Sequence, residues 1–377
     1  MKDVKRCKRC ILPENFPNIV FDENGICNYC HEWDKKWKNF DYNIAKNELI
    51  ELFKKVKKLD RKYDCMVPFS GGRDSSYVLY LVKEKYGLNP LAVTFNNGFM
   101  SHYALENILN LTKLLKVDHV IHGYSWDQLQ KMYKTTIKKS GEFCSICSTG
   151  INYVQIVYQE KFKIPLIISG TSTRVDEQSP FEIISSHPQY VRNVLKDDFP
   201  NKNLDDFILP RRNNWSAFKM VINKLKGADY IRINLPDYIP WKVEEIQDIL
   251  VNDLGWKTPD KNKDHIDCKY AEMKTYLKNK QIPGNIFKQE KYSQMIRDGQ
   301  LTRQEAMNRL ANIVNKQGKP EVYDEFIKEF ELEEKEIEKN NRKSHLNFIS
   351  KDETVEKEEI IFKLISIPWK FYKTIKS

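Results

Sequence analysis

Five short apolar runs, separated by longer amphipathic segments, constrain the fold of this 377-residue chain more than any other feature. The runs are YDCMVPF (63–69), PLAVTFN (90–96), DHVIHGY (118–124), IPLIISG (164–170) and DYIRINL (229–235). The segments between the first four runs are long enough for crossover helices, which connect the strands of a parallel sheet. We therefore expect an α/β fold with a doubly wound parallel sheet.

The segments on either side of this alternation predict the domain organisation. A cysteine-bearing head (1–40) and a connecting helix (41–62) precede the α/β domain (63–235), which a helical acceptor-binding region (236–318) and a C-terminal segment (319–377) follow. In the C-terminal segment, FIKEFELEEKEIEKNNRK predicts a charged, solvated helix. The basic tail, EKEEIIFKLISIPWKFYKTIKS, is either an ordinary packed terminus or a segment that contacts a membrane surface or a partner.

The first apolar run leads into a loop suited to an anion. SGGRDSS places two glycines directly after the predicted strand, and Ser75 and Ser76 open the following helix. The glycines let the backbone turn tightly and present several N–H groups to one point, which the positive end of the helix dipole also faces. The spacing fits neither a Walker A loop nor a dinucleotide-binding fingerprint. The sequence therefore predicts a phosphate-binding loop of another kind.

This loop resembles the PP-loop of the ATP pyrophosphatase superfamily, in which S-G-G-x-D-S follows the first strand of a parallel sheet. The resemblance implies that the chain binds ATP, transfers AMP to an acceptor oxygen and releases pyrophosphate. It assigns the phosphates to Ser70, Gly71, Gly72, Asp74 and Ser75. Arg73 adds a delocalised positive charge, and Asp74 helps to place Mg²⁺. Asp74, Arg73 and Ser75 are the expected catalytic residues.

The same resemblance extends to the ends of the second and fourth predicted strands. AVTFNNGF puts Thr94 and Phe95 where the superfamily contacts adenine through backbone groups, and IISGTSTRVDE puts Gly170 near the nucleotide and the acceptor. Arg174 is a further candidate for neutralising the charge of pyrophosphate. Glu177 either orients the acceptor or the nucleophile, or is a solvated loop carboxylate.

Three other residues near the predicted site leave their roles open. Trp241 and Trp256 either offer flat faces to a sugar ring or pack in the core. Pro68 lies inside the first apolar run and cannot donate to a sheet ladder, which leaves the local geometry there undetermined.

Four cysteines in the head have the spacing of a zinc site. Cys7-x-x-Cys10 and Cys27-x-x-Cys30 are separated by sixteen residues, within the range of C-x₂-C-x₁₅₋₂₀-C-x₂-C sites. Four thiolates complete a closed tetrahedral site for Zn²⁺, which indicates a structural role.

A second set, Cys144, Cys147, His265 and Cys268, leaves three interpretations open. All four residues can form a Cys₃His zinc site, the three cysteines alone can hold an iron–sulfur cluster, or they are reduced thiols without a metal. The cluster arrangement resembles that of PP-loop enzymes that thiolate tRNA.

Residues from about 5 to 312 resemble the N-acetyl sugar amidotransferase family of surface-polysaccharide (lipopolysaccharide) biosynthesis. The matching segments are CKRCILPENFPNIVFDENGICNYC, the predicted strand, loop and helix around SGGRDSS, LGWKTP, and IRDGQLTRQEAMNRL. The resemblance implies a sugar or nucleotide-sugar acceptor, whose acetamido oxygen is adenylated before ammonia displaces AMP. The segment FCSICSTG departs from the well-known members of this family. A PP-loop sulfurtransferase acting on tRNA is therefore kept as the alternative, and a non-catalytic nucleotide-binding module as a third.

Charge and composition bound the partners and the compartment. The net charge of +10 suits anionic ligands such as nucleotides or nucleotide sugars without requiring nucleic acid. We find no glutaminase motif, so ammonia would have to come from a separate glutaminase subunit. The basic N-terminus lacks the apolar segment of a secretory signal, and no apolar run approaches the roughly 18–20 residues that span a bilayer. We expect a cytoplasmic enzyme with reduced or metal-bound cysteines.

Overall fold

A computed structural model describes most of the chain as strands and helices. It covers residues 4–175, 187–200, 204–208, 230–259, 265–281, 287–315 and 318–340. The strands are β1 (Cys65–Pro68), β2 (Pro90–Asn96), β3 (Asp118–Gly123), β4 (Leu166–Ser169) and β5 (Ile231–Asn234). The helices are α1 (Asn28–Trp37), α2 (Tyr42–Lys57), α3 (Arg73–Tyr80), α4 (His102–Leu114), α5 (Trp126–Ser140), α6 (Cys144–Phe162), α7 (Pro188–Leu195), α8 (Val243–Asp248), α9 (Ala271–Gln281), α10 (Phe287–Arg297), α11 (Arg303–Asn315), α12 (Tyr323–Glu329) and α13 (Glu334–Asn340).

The five strands form one parallel sheet in the order β3-β2-β1-β4-β5. The chain runs outward from β1 to β3 on one side, and then crosses to β4 and β5 on the other. The order therefore reverses between β1 and β4, and in open parallel sheets ligands bind outside the carboxyl ends of the strands at this point. The predicted doubly wound α/β fold is confirmed, with each strand inside its predicted apolar run. Pro68 is the last residue of β1, where its missing N–H affects at most one ladder bond.

Successive side chains of the central strands pack on opposite faces of the sheet. Met66 points into a cluster that includes residues of α5, α6 and α7, whereas Cys65 and Val67 point into a cluster that includes residues of α2, α3 and α4. This alternation is the two-residue period of a strand, and burial on both faces explains why the runs are apolar throughout. The crossover helices therefore cover both faces of the sheet.

The prediction of one solvated helix at 326–343 is wrong for residues 326–340, which are the part of it that the structure describes. Two short helices, α12 and α13, replace it, and Glu331 between them has a positive φ of 46°. Phe326, Phe330 and Ile337 are at most 1% exposed and join the cluster on the α5 and α6 face of the sheet. The apolar residues within this charged sequence are core residues. The turn at Glu331 between the two helices allows them to be buried.

The connecting segment contains α2, which packs on the sheet. Asp41 caps its N-terminus by accepting hydrogen bonds from the N–H groups of Asn43 and Ile44. The basic tail from 341 onward lies outside the described residues. In the part of the chain that is described, no helix combines the length and the apolarity needed to cross a bilayer. The predicted domain boundaries remain predictions.

Candidate functional site

The loop between β1 and α3 lies at the carboxyl edge of the sheet, next to the point where the strand order reverses. Its serines hold it in shape: the Ser70 and Ser75 Oγ atoms are 3.2 Å apart, and Ser75 Oγ donates to the carbonyl of Gly72 at 3.1 Å. The N–H of Gly72 donates to Ser70 Oγ at 3.3 Å. Gly72 is also the N-cap of α3, so the positive end of the helix dipole faces the loop.

Gly71 is the loop residue that packs directly against the backbone of α4. Its φ is +74°, and a Cβ there would lie 2.4 Å from the carbonyl oxygen of Ala104 in α4. The carbonyl of Gly71 accepts hydrogen bonds from Trp256 Nε1 at 3.0 Å and from Asn107 Nδ2 at 3.2 Å. Only glycine tolerates both the backbone conformation and this contact. The loop is therefore fixed against α4 and against the segment that carries Trp256.

The two tryptophans support the loop through their indole N–H groups. Trp241 is 8% exposed and donates to Asp74 Oδ1 at 3.0 Å, while Trp256 is 4% exposed and donates to the loop backbone. Trp241 packs edge-on against Tyr77, at 5.2 Å between ring centroids. Because both rings are nearly covered, neither presents an open face for a sugar to stack on. Both tryptophans therefore pack in the core, and each also donates a hydrogen bond to the loop.

Arg73 and Asp74 form an ion pair at the entrance to α3. Arg73 Nη2 lies 3.1 Å from Asp74 Oδ2, and Arg73 Nε lies 3.2 Å from Asp74 Oδ1. Both side chains retain solvent access. The pair places a guanidinium and a carboxylate beside the N–H groups of the loop. These groups match a polyphosphate with its magnesium, because Mg²⁺ is usually bound by one or two carboxylates together with phosphate oxygens.

A small cavity of about 100 Å³ opens at this loop. It is lined by the predicted residues Ser70, Gly72, Arg73, Asp74 and Ser75, together with Gln247, Trp256, His265, Ile266 and Asp267. Gln247, Ile266 and Asp267 were not among the predicted site residues. Their nearest predicted neighbours, His265 and Cys268 in HIDC, were candidate metal ligands.

Gly170 and Thr94 connect the neighbouring strand ends to the loop. A Cβ on Gly170 would lie 3.0 Å from the backbone carbonyl of Asp74, so the chain after β4 passes close against the start of α3. Thr94 is 2% exposed, donates through Oγ1 to the carbonyl of Phe69 at 2.5 Å and lies 2.7 Å from His119 Nε2. Phe95 is buried on the α6 face of the sheet. Adenine binding at Thr94 and Phe95 remains a prediction.

Arg174 is buried and does not line the loop cavity, although the sequence made it a candidate for neutralising pyrophosphate. It is 3% exposed and lies among the rings of Trp37, Phe40 and Tyr42, at 5.4, 5.2 and 4.6 Å from the ring centroids. Its Nε is 3.5 Å from Asp298 Oδ1. Arg174 therefore joins the end of the head to the C-terminal region. Glu177, the other predicted loop residue, lies outside the described residues.

Replacing Arg174 with methionine is expected to destabilise the protein by about 3 kcal/mol, because Asp298 would be left partly buried without its counter-charge. The free energy of unfolding in urea measures this effect. Arg309→Met, which removes an exposed arginine from α11, serves as the control and should change stability by less than about 0.5 kcal/mol. Equal stability of the two variants would show that the Arg174 cluster contributes no net energy.

The four head cysteines converge as a zinc site requires. Their sulfurs lie within 4.8 Å of one another, with separations of 3.9 Å for Cys7 and Cys30, 3.7 Å for Cys10 and Cys27, and 3.6 Å for Cys27 and Cys30. Four sulfurs bound tetrahedrally at about 2.3 Å would lie about 3.8 Å apart. The N–H groups of Cys10 and Cys27 donate to Cys7 Sγ, at 3.4 and 3.3 Å. All four residues are fully buried. The residues therefore fit a closed tetrahedral metal site.

The ligand atoms of the second cysteine set, of which His265 lines the cavity, are farther apart than those of the head cysteines. Cys144 and Cys147 lie in the first turn of α6, and burial raises their pKa values to about 12 and about 11. Burial, with the charges of these two thiols, also raises the pKa of Cys268. Among the described residues, only the head cysteines bring three or more potential ligand atoms within 4.8 Å of one another. His265 lines the cavity at the loop. A second metal site remains a prediction.

Comparison with known proteins gives one match to a described family. Residues 284–373 match the family described as "LPS biosynthesis protein WbpG-like, C-terminal domain". This part of the chain is therefore similar to that domain. The predicted relationship to surface-polysaccharide proteins is confirmed by this match. Among curated proteins, an uncharacterized protein of Methanocaldococcus jannaschii is 30% identical over 177 residues, which are 47% of this chain and 60% of that protein.

Three solved structures are similar to the chain at low identity. U34-tRNA thiolase from Methanococcus maripaludis, solved with its 4Fe–4S cluster, is 17% identical over 82% of this chain and 89% of that chain, with a TM-score of 0.32. NH3-dependent NAD synthetase from Campylobacter jejuni is 14% identical, over 59% and 99%, with a TM-score of 0.29. NMN synthetase from Francisella tularensis is 14% identical, over 50% and 87%, with a TM-score of 0.28.

Proposed function

We propose that this protein uses ATP to adenylate the acetamido oxygen of a sugar or nucleotide sugar, and that ammonia then displaces AMP. The observation that carries the proposal is a serine- and glycine-lined anion loop at the switch point of a parallel sheet, in a chain with a WbpG-like C-terminal domain. The loop supports ATP-dependent chemistry, and the C-terminal domain supports a substrate from surface-polysaccharide biosynthesis.

The loop residues would bind and orient ATP. The N–H groups of Gly71 and Gly72, the hydroxyls of Ser70 and Ser75, and the dipole of α3 favour the phosphates, while Arg73 offsets the charge that develops on departing pyrophosphate. Asp74 would hold Mg²⁺, which neutralises phosphate oxygens when bound. The remaining requirement is alignment of the acceptor oxygen with the α-phosphorus, which positioning alone can supply.

The two steps balance without a nucleophile from the protein. In the first, the amide oxygen forms a bond to the α-phosphorus of ATP, the bond to pyrophosphate breaks, and the amide nitrogen loses its proton. In the second, ammonia attacks the amide carbon, and the bond from that carbon to the oxygen of AMP breaks. The product is an acetamidino group. We propose that a separate glutaminase supplies the ammonia.

A second candidate function is sulfur transfer, with tRNA as a candidate acceptor. The observation that favours it is the position of Cys268, which directly follows the cavity-lining residues Ile266 and Asp267 and lies close enough to Cys144 and Cys147 for their charges to affect its pKa. A cluster on these three cysteines would bring a sulfur donor near the adenylated acceptor. One of the similar structures is a tRNA thiolase with its 4Fe–4S cluster.

Product analysis tests the proposal. The full chain is incubated with ATP, magnesium, ammonium and a panel of UDP-linked N-acetylhexosamines, and the products are weighed by mass spectrometry. Replacement of the acetamido oxygen by an NH group, with stoichiometric AMP and pyrophosphate, is the expected result. Formation of ADP, or consumption of ATP without any change in the sugar, would contradict it.

Cys268→Ser separates the two candidate functions. If nitrogen is transferred, AMP formation should stay within about twofold of wild type, because amide activation needs no thiolate at this position. If sulfur is transferred through a cluster, the variant should lose the cluster and its activity together. Cys65→Ser, which alters a buried thiol in β1 away from the cavity, controls for the cost of placing a hydroxyl in the core.

A further inference from the structure

The head cysteines contact a charged residue that lies 267 residues beyond Cys30 in the sequence. Arg297, the last residue of α10, donates through Nε to Cys30 Sγ at 3.5 Å and through Nη2 to Cys10 Sγ at 3.7 Å. The residue is only 8% exposed. Arg297 belongs to the WbpG-like C-terminal domain, so this domain contributes a side chain that lies directly against the predicted metal site.

A second arginine of the same domain contacts the backbone beside the site. Arg303, the first residue of α11, donates through Nε to the carbonyl of Cys10 at 3.1 Å and through Nη2 to the carbonyl of Cys7 at 3.5 Å. Ser293 Oγ accepts a hydrogen bond from the N–H of Ile11 at 3.3 Å. The polar surface of α10 and the start of α11 is therefore matched to the first cysteine loop.

The sulfurs that Arg297 contacts would be anionic in a metal-bound site. A divalent ion held by four thiolates would carry a net charge of −2, and Arg297 lies against two of these sulfurs. A buried guanidinium is stabilised by an anionic partner, and metal-bound thiolates would supply one at this position. The head arginine Arg9 is paired with Asp34, at 2.5 and 2.8 Å, and also interacts electrostatically with Cys30.

Apolar contact between the head and this domain is small by comparison. One described cluster joins them, and its buried members are Ile11 from the head and Tyr292, Leu301, Ala306 and Leu310 from the C-terminal domain. Ile11 is the single buried residue that the head contributes to this cluster, and it adjoins Cys10. The metal loop therefore provides the head's apolar anchor in this cluster as well as its contacts with Arg297 and Arg303, whereas Arg174 and Asp298 form a separate contact between the two parts.

We propose that the metal-loaded head is a charge-complementary docking site for the WbpG-like C-terminal domain, and that loss of the metal releases α10 and α11. The role of the metal in this proposal is to hold the C-terminal domain in place. This role is independent of the reaction proposed above, because it concerns the contact between two parts of the chain and not the chemistry at the loop.

Hydrogen–deuterium exchange of the full-length zinc-loaded protein, before and after treatment with a chelator, tests the proposal. Amides in 287–315 should exchange about tenfold faster or more after zinc removal, because a docked segment loses its protection when it detaches. Amides in β1 and β2 serve as the internal reference and should not change. Unchanged protection of 287–315 in zinc-free protein would overturn the proposal.

If chelation unfolds the whole chain, Arg297→Met tests the contact between the head and the C-terminal domain instead, because this variant keeps all four cysteines. With zinc bound, its 287–315 segment should exchange about tenfold faster than that of wild type, and a chromogenic chelator should remove its zinc about tenfold faster. Arg309→Met, an exposed position on α11, should match wild type in both measurements. Wild-type exchange and zinc release in Arg297→Met would refute the charge-matched contact.

Discussion

Replacing Asp74 with asparagine is expected to lower the rate of pyrophosphate release by about a hundredfold or more. Asparagine keeps the shape of the side chain, and its amide oxygen can still accept from Trp241 Nε1. It removes the negative charge that faces Arg73 and the cavity, and with it the carboxylate that would hold Mg²⁺. The rate is measured by coupling pyrophosphate to a colorimetric phosphate assay under saturating ATP.

The loss should be one of activity and not of folding. Asp74 is partly exposed, and an exposed ion pair such as the one with Arg73 contributes at most about 1 kcal/mol. Thermal unfolding of Asp74→Asn should therefore remain close to that of wild type. Asp253→Asn, which removes an exposed carboxylate outside the loop cavity, should retain full activity. A wild-type rate in Asp74→Asn would remove this loop from the reaction.

Replacing Gly71 with alanine is expected to destabilise the protein by about 2–4 kcal/mol and to abolish ATP binding. Two costs add at this position: a positive φ, and a Cβ that would lie 2.4 Å from the carbonyl of Ala104. Since the obstructing atom is backbone, relief of the clash requires the loop to move away from α4. The hydrogen bond from Trp256 to the Gly71 carbonyl would be disturbed by the same movement.

Gly299→Ala separates the two costs. Gly299 has a φ of +75°, nearly the same as that of Gly71, but a Cβ there would meet nothing within 4 Å. This control should lose about 1 kcal/mol from the backbone conformation alone and should bind ATP normally. Urea unfolding and calorimetric titration with ATP give both quantities. Equal destabilisation in the two variants would contradict the close approach of the loop to α4.

The parts of the fold that follow from local sequence were predictable. Each strand lies within an apolar run because both faces of a crossover-covered sheet are buried, and the glycine pair fixes where β1 ends. The cysteine spacing predicted the head site because four ligands on two tight turns can converge within a short segment. In each case, the pattern that predicts the feature lies within a short stretch of sequence, although the pairing of β1 with β4 joins distant residues.

The parts that the sequence did not predict depend on contacts between distant residues. Trp241 is 167 residues from Asp74, and Trp256 is 185 residues from Gly71, so no local pattern shows that their N–H groups support the loop. Arg174 follows β4 as a phosphate-binding residue would, but three aromatic rings and Asp298 surround it. A charged residue in a promising segment can serve either role, and packing decides which.

In the proposed reaction, an oxygen of the acceptor attacks the α-phosphorus of ATP at this loop. Labelling the acetamido oxygen of a UDP-linked N-acetylhexosamine substrate with ¹⁸O tests it directly. We expect AMP to carry one ¹⁸O in its phosphate and the sugar product to retain none. Unlabelled AMP, formed while the sugar keeps its ¹⁸O, would rule out attack by the acetamido oxygen.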